Sequence, residues 1–64
     1  MSNTSTTKLS QYTLAKNCTD LSDVNVGINE LKEYFSACEK TGTNPTSTAY
    51  ARFAKLNIKR DNLK

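Results

Sequence analysis

Residues 21–38 read LSDVNVGINELKEYFSAC. Apolar side chains fall at Leu21, Val24, Ile28, Leu31, Phe35 and Cys38, in steps of 3, 4, 3, 4 and 3. This spacing lines one face of an α-helix. Gly27 interrupts the stripe at a cost of about 1 kcal/mol relative to Ala. The regular helix is therefore expected to begin near Asn25–Ile28, with Leu21–Val24 in a preceding turn. Asp20, Ser22, Asp23 and Asn25 all carry side chains that can cap it. Glu30 and Glu33 lie towards its positive N-terminal end, Lys40 lies in its last turn, and Gly42 is a natural stop. The same steps fit a coiled-coil seam, but the run is shorter than the three to four heptads that signature requires. A helix facing a core is the expectation.

Downstream, Thr43-Asn44-Pro45 is a turn signal followed by a new helix start. Either Asn44 caps a helix with Pro45 in its first turn, or Pro45 precedes a cap at Thr46 or Ser47. Ala49, Phe53 and Leu56 then form an apolar stripe, with Tyr50 beside it and Arg52, Lys55 and Lys59 on other faces. Asn57 favours a break at 57–59, since Asn tolerates the left-handed turn conformation. One uninterrupted helix from about 46 to 62 is the equal alternative.

Upstream, Leu9, Tyr12 and Ala15 are three residues apart, which predicts a short helix over 8–18; the alternation of Tyr12 and Leu14 also permits a strand. Residues 1–7, MSNTSTT, have no apolar periodicity and read as a flexible arm. The predicted architecture is an all-α domain over 8–64, either three helices or a helical hairpin, preceded by that arm. A chain of 64 residues has a small core and marginal stability. Docking on a larger partner and homo-oligomerisation are both compatible with that size.

The charge of +3 is unevenly spread. Residues 1–40 carry four lysines against five carboxylates, net −1. Residues 41–64 carry Arg52, Lys55, Lys59, Arg60 and Lys64 against Asp61, net +4. A basic segment on a near-neutral body points to an acidic partner, protein or nucleic acid. A membrane surface is disfavoured because the basic segment lacks a broad apolar face, and no apolar run approaches the ~20 residues of a membrane span.

The chain has no His, so the usual general base at neutral pH is missing. Gly27 and Gly42 are its only glycines and build no phosphate loop. Glu30 and Glu33 flank Lys32 in a charged stretch, a poor setting for acid–base work. No cofactor, metal or enzymatic activity is expected. Cys18 and Cys38 are read as reduced, because no export signal opens the sequence; the expected compartment is the cytoplasm. Asn3-Thr4-Ser5 and Asn17-Cys18-Thr19 match the glycosylation triplet, which a Ser/Thr/Asn-rich chain produces by chance.

Two helix-turn-helix registers can be placed on the C-terminal half. In one, a helix over 28–40 and the turn Thr41-Gly42-Thr43-Asn44 lead into a recognition helix whose polar start, Thr46-Ser47-Thr48 with Arg52, meets base edges. In the other, 46–56 is the first helix, Asn57-Ile58-Lys59 the turn, and Arg60 onward the recognition helix. The stretch Ala54-Lys55-Leu56-Asn57-Ile58-Lys59-Arg60-Asp61-Asn62-Leu63 resembles the turn region of helix-turn-helix regulators, with Ile58 at the buried turn position and Leu63 five residues on. The resemblance implies DNA binding, but the residues after that turn are too few to cross a major groove.

The leading expectation is a small binding protein, an accessory or inhibitor of the phage or mobile-element type, working through its basic C-terminal surface. A helix-turn-helix-like DNA-binding regulator and a virion component are the alternatives. The residues expected to contact the partner or nucleic acid are Arg52, Lys55, Lys59, Arg60 and Lys64, with Ser47 and Thr48.

Overall fold

A computed structural model of the chain describes residues 9–63. The arm expected over 1–7 and the candidate contact residue Lys64 lie outside that range. Within it, two short 3-10 turns, Gln11–Thr13 and Ala15–Asn17, precede two α-helices: α1, Leu21–Thr41, and α2, Ser47–Leu63. The described residues are thus all-α and contain no strand. Neither α-helix is long and apolar enough to cross a membrane.

The ends of α1 are set by local chemistry. The Asp20 side chain accepts the Asp23 N–H at 3.0 Å, and the Asp23 carboxylate accepts the Thr19 N–H and hydroxyl at 3.3 and 3.1 Å. The first of these bonds satisfies a donor that the first helical turn leaves open, and the other two tie the residue before the cap to that turn. The helix therefore starts at Leu21, ahead of the expected Asn25–Ile28, and runs straight through Gly27. At the other end Gly42 adopts φ 73°, ψ 21°. Its N–H and that of Thr43 return to the carbonyls of Glu39 and Cys38, a Schellman closure. Thr46 starts α2: its hydroxyl accepts the Ala49 N–H at 3.2 Å, with Pro45 just outside the helix.

No break occurs at 57–59. The Asn57 side chain donates to the Phe53 carbonyl at 2.8 Å, one turn back, and so bonds along the helix instead of ending it. The second helix-turn-helix register consequently lacks its turn. Ile58, placed by that register in a buried turn, is 62% exposed on the outside of α2.

The two α-helices run alongside each other in opposite directions. Phe35 stacks on Tyr50 at 5.1 Å and meets Phe53 edge-on at 5.3 Å near the connecting loop, while Gly27 faces Leu56 further along. The core comprises Cys18, Val24, Ile28, Leu31, Ala49 and Leu56, with Phe35 and Phe53 half-buried against it. The α1 stripe thus packs as its spacing predicts from Val24 to Cys38, whereas Leu21 is exposed.

Residues 9–18, expected as a short helix, instead form a strap made of the two 3-10 turns. Leu9, Tyr12 and Ala15 pack on the core, and Cys18 belongs to it. The strap is tied to both α-helices. On α1, a Glu30 carboxylate oxygen accepts the Ser10 N–H at 3.0 Å and the Ser10 hydroxyl at 2.6 Å. On α2, Lys59 Nζ donates to the Ala15 carbonyl at 2.9 Å, and Arg52 Nη1 lies 3.5 Å from the Thr13 hydroxyl. The fully buried Thr13 is satisfied in turn, since its hydroxyl donates to the Ser10 carbonyl at 2.9 Å.

Candidate functional site: a basic-rimmed groove beside the second helix

Thr48, Arg52, Lys55 and Lys59 are spaced i, i+4, i+7 and i+11, so they share one flank of α2. The strap runs along this flank. A groove remains between the strap and α2. Leu14, Ala15 and Lys16 form its strap wall; Thr48, Ala51, Arg52 and Lys55 form its helix wall. Its volume is about 420 Å³.

The apolar part of the groove's lining, which serves as the floor on which a ligand would rest, comes from Leu14, Ala15 and Ala51. Its rim is cationic on both sides: Lys16 and Lys55 are exposed, and Arg52 is half-buried. Among the described residues no carboxylate lines it. The hydrogen bond from Arg52 to the Thr13 hydroxyl is long, at 3.5 Å, which leaves most of the guanidinium's five N–H donors free. Cations around an apolar lining have the chemistry to attract an anionic group attached to something apolar.

The expected contact residues divide. Arg52, Lys55 and Thr48 come together in the groove wall. Lys59 shares their flank, but its ammonium is held by the strap. Arg60 follows Leu56 by four residues and lies on that inward face; its Nε is buried and has no hydrogen-bond partner among the described residues. Ser47 is exposed on the outer face of α2 with Ala54 and Ile58. The sequence pattern does not single out Lys16, Leu14 or Ala51. Lys16 belongs to the site only because the strap folds back across α2, and no local signal encodes that return.

Cys18 and Cys38 are both buried free thiols. Cys18 Sγ donates to the Tyr12 carbonyl at 3.3 Å. Burial pushes the Cys18 thiol up from its ordinary pKa; Asp23 and Asp20 add to the rise and Lys59 opposes it. The thiol therefore stays protonated and acts as a small core group. Among the described residues, no three His, Cys, Asp or Glu side chains are grouped so as to hold a metal ion.

No protein-family model, curated protein sequence or solved structure matches this chain.

Proposed function

We propose that this chain is a small non-enzymatic binding protein that engages an acidic protein partner through the basic flank of α2. An accessory or inhibitor of the phage or mobile-element type is the form of that function its size and composition suit. One observation carries the reading. Arg52 and Lys55 on α2 meet Lys16 of the strap around an apolar floor, and among the described residues no carboxylate lines the groove they surround. Cations kept clear of carboxylates retain their full attraction for an external anion, and an apolar floor adds affinity that charge alone does not provide.

The DNA-binding alternative rests on the exposed polar start of α2, where Ser47 and Thr48 precede Arg52. Two features weigh against it. The uninterrupted α2 removes one of the two possible motif registers. The contacts Phe35–Tyr50 and Gly27–Leu56 keep α1 and α2 side by side, unlike the steep crossing of motif helices.

The test is affinity purification of the tagged full chain from its native host, in parallel with the Lys55→Glu variant. A protein retained stoichiometrically by the native chain and lost by the variant supports the reading. Salt-sensitive binding of micromolar protein to duplex DNA, with no protein retained, overturns it in favour of the regulator.

A further inference from the structure

The groove between the strap and α2 has a more specific chemistry than a basic surface. We infer that it is a receptor for a short acidic segment of the partner, in which one aliphatic side chain is flanked on both sides by carboxylates. This rests on the proposed protein-binding function and specifies its ligand.

Three observations carry it. First, the floor is built from Leu14, Ala15 and Ala51. The two alanines leave space where larger side chains would fill the gap, and the lining is apolar enough to accept an aliphatic group but not a hydrated one. Second, the cations stand on both walls: Lys16 on the strap and Arg52 and Lys55 on the helix. An anchor lying on the floor thus has positive charge to either side, which selects carboxylates on both flanks of that anchor. Third, Arg52 makes only one long contact, 3.5 Å to the Thr13 hydroxyl, so donors remain for a bidentate bond to a carboxylate. The lining contains no aromatic ring on which a nucleobase could stack, so single-stranded nucleic acid is a poor fit. Residues 1–8 of the chain itself contain no carboxylate and do not match the rim.

The experiment uses the isotope-labelled full chain and four probes, followed by amide chemical shifts at low and moderate salt. The first probe is a synthetic peptide with two Asp/Glu pairs flanking one leucine. The second has that leucine replaced by alanine. The third has every carboxylate replaced by its amide. The fourth is duplex DNA of mixed sequence. The leucine peptide is expected to bind and to shift the amides of Leu14, Lys16, Ala51 and Lys55. The alanine peptide is expected to bind about tenfold more weakly, as the loss of a buried leucine contact implies. The amide peptide is expected not to bind.

Variants at two exposed positions keep the result interpretable, with helicity checked by circular dichroism. Lys16→Glu is expected to weaken the leucine peptide about tenfold, while Lys16→Arg retains it. Ala51→Leu fills the floor and is expected to abolish the preference for leucine over alanine while leaving charge-driven binding. Equal binding of the leucine and alanine peptides overturns the inference. So does a footprint confined to Lys59 that bypasses the groove, although binding on the basic flank would then still stand. Absence of peptide binding also overturns it, and DNA binding without peptide binding removes the protein-binding reading as well.

Discussion

The backbone carbonyl of Tyr12 lies directly against Gly27 of α1. A β-carbon at Gly27 would overlap that carbonyl and come within 3.0 Å of Leu56 Cδ1. The strap, α1 and α2 therefore converge on a single hydrogen atom. The same carbonyl accepts the Cys18 thiol, which holds the strap in this close approach.

Gly27→Ala is accordingly expected to destabilise the protein, against the direction of helix propensity. Alanine gains about 1 kcal/mol as a helix former. Backbone displacement at the contact outweighs this, for a net loss of about 1–3 kcal/mol, typical of overpacking. Urea denaturation monitored by circular dichroism measures the change. A gain in stability would mean that the strap does not sit on α1 as described.

Gly42 tests the opposite situation. Its φ is 73°, and a β-carbon there would meet nothing within 4 Å. Gly42→Ala thus introduces backbone strain without a clash and is expected to cost about 1–2 kcal/mol. In a domain of this size each kcal/mol lowers the thermal midpoint by roughly 4–8 °C. Gly42→Asn should cost less, because Asn adopts the left-handed conformation more readily.

Glu30 and Glu33 are near neighbours on α1 with different tasks. Glu30 holds the Ser10 N–H and hydroxyl; Glu33 is exposed. Glu30→Ala is expected to cost about 1.5–3 kcal/mol, the range for hydrogen bonds to a charged group. It should also accelerate hydrogen exchange at the Thr13 and Leu14 amides of the strap. Glu33→Ala should leave both stability and exchange unchanged.

The buried Cys18 thiol links stability to alkaline pH. Its pKa in the folded protein is raised, so the folded state keeps a proton that the unfolded chain releases. Its contribution to stability is complete below the ordinary thiol pKa and is lost as pH rises through the higher folded value. The urea midpoint should fall more steeply between pH 8 and about 10 for the native chain than for Cys18→Ala. Equal slopes would remove Cys18 as the titrating group.

The helical stripe was readable because its information is local. The spacing of Val24, Ile28, Leu31 and Cys38 determines a buried face whatever packs on it, and Ala49 and Leu56 answer it from α2. Gly27 misled for the opposite reason. Its helix cost is visible in sequence, but the carbonyl that requires it comes from Tyr12, fifteen positions away. Glu30 reads as part of a charged stretch because its partner, Ser10, is twenty positions away. The turn signal at Asn57 was real, yet the side chain found an acceptor at Phe53 and the helix continued. In the candidate site, Thr48, Arg52 and Lys55 were legible as one charged helix flank. Lys16 and the apolar floor were not, since they depend on where an irregular strap comes to rest.

Two antiparallel helices joined by one loop can open like a fork at the end away from that loop. The strap crosses the pair and takes bonds from both prongs, from Glu30 midway along one and from Arg52 and Lys59 on the other. Separating either helix releases the strap from its partner as well. Pieces too short to be stable alone are thereby coupled into one cooperative unit, whose melting should be all-or-none.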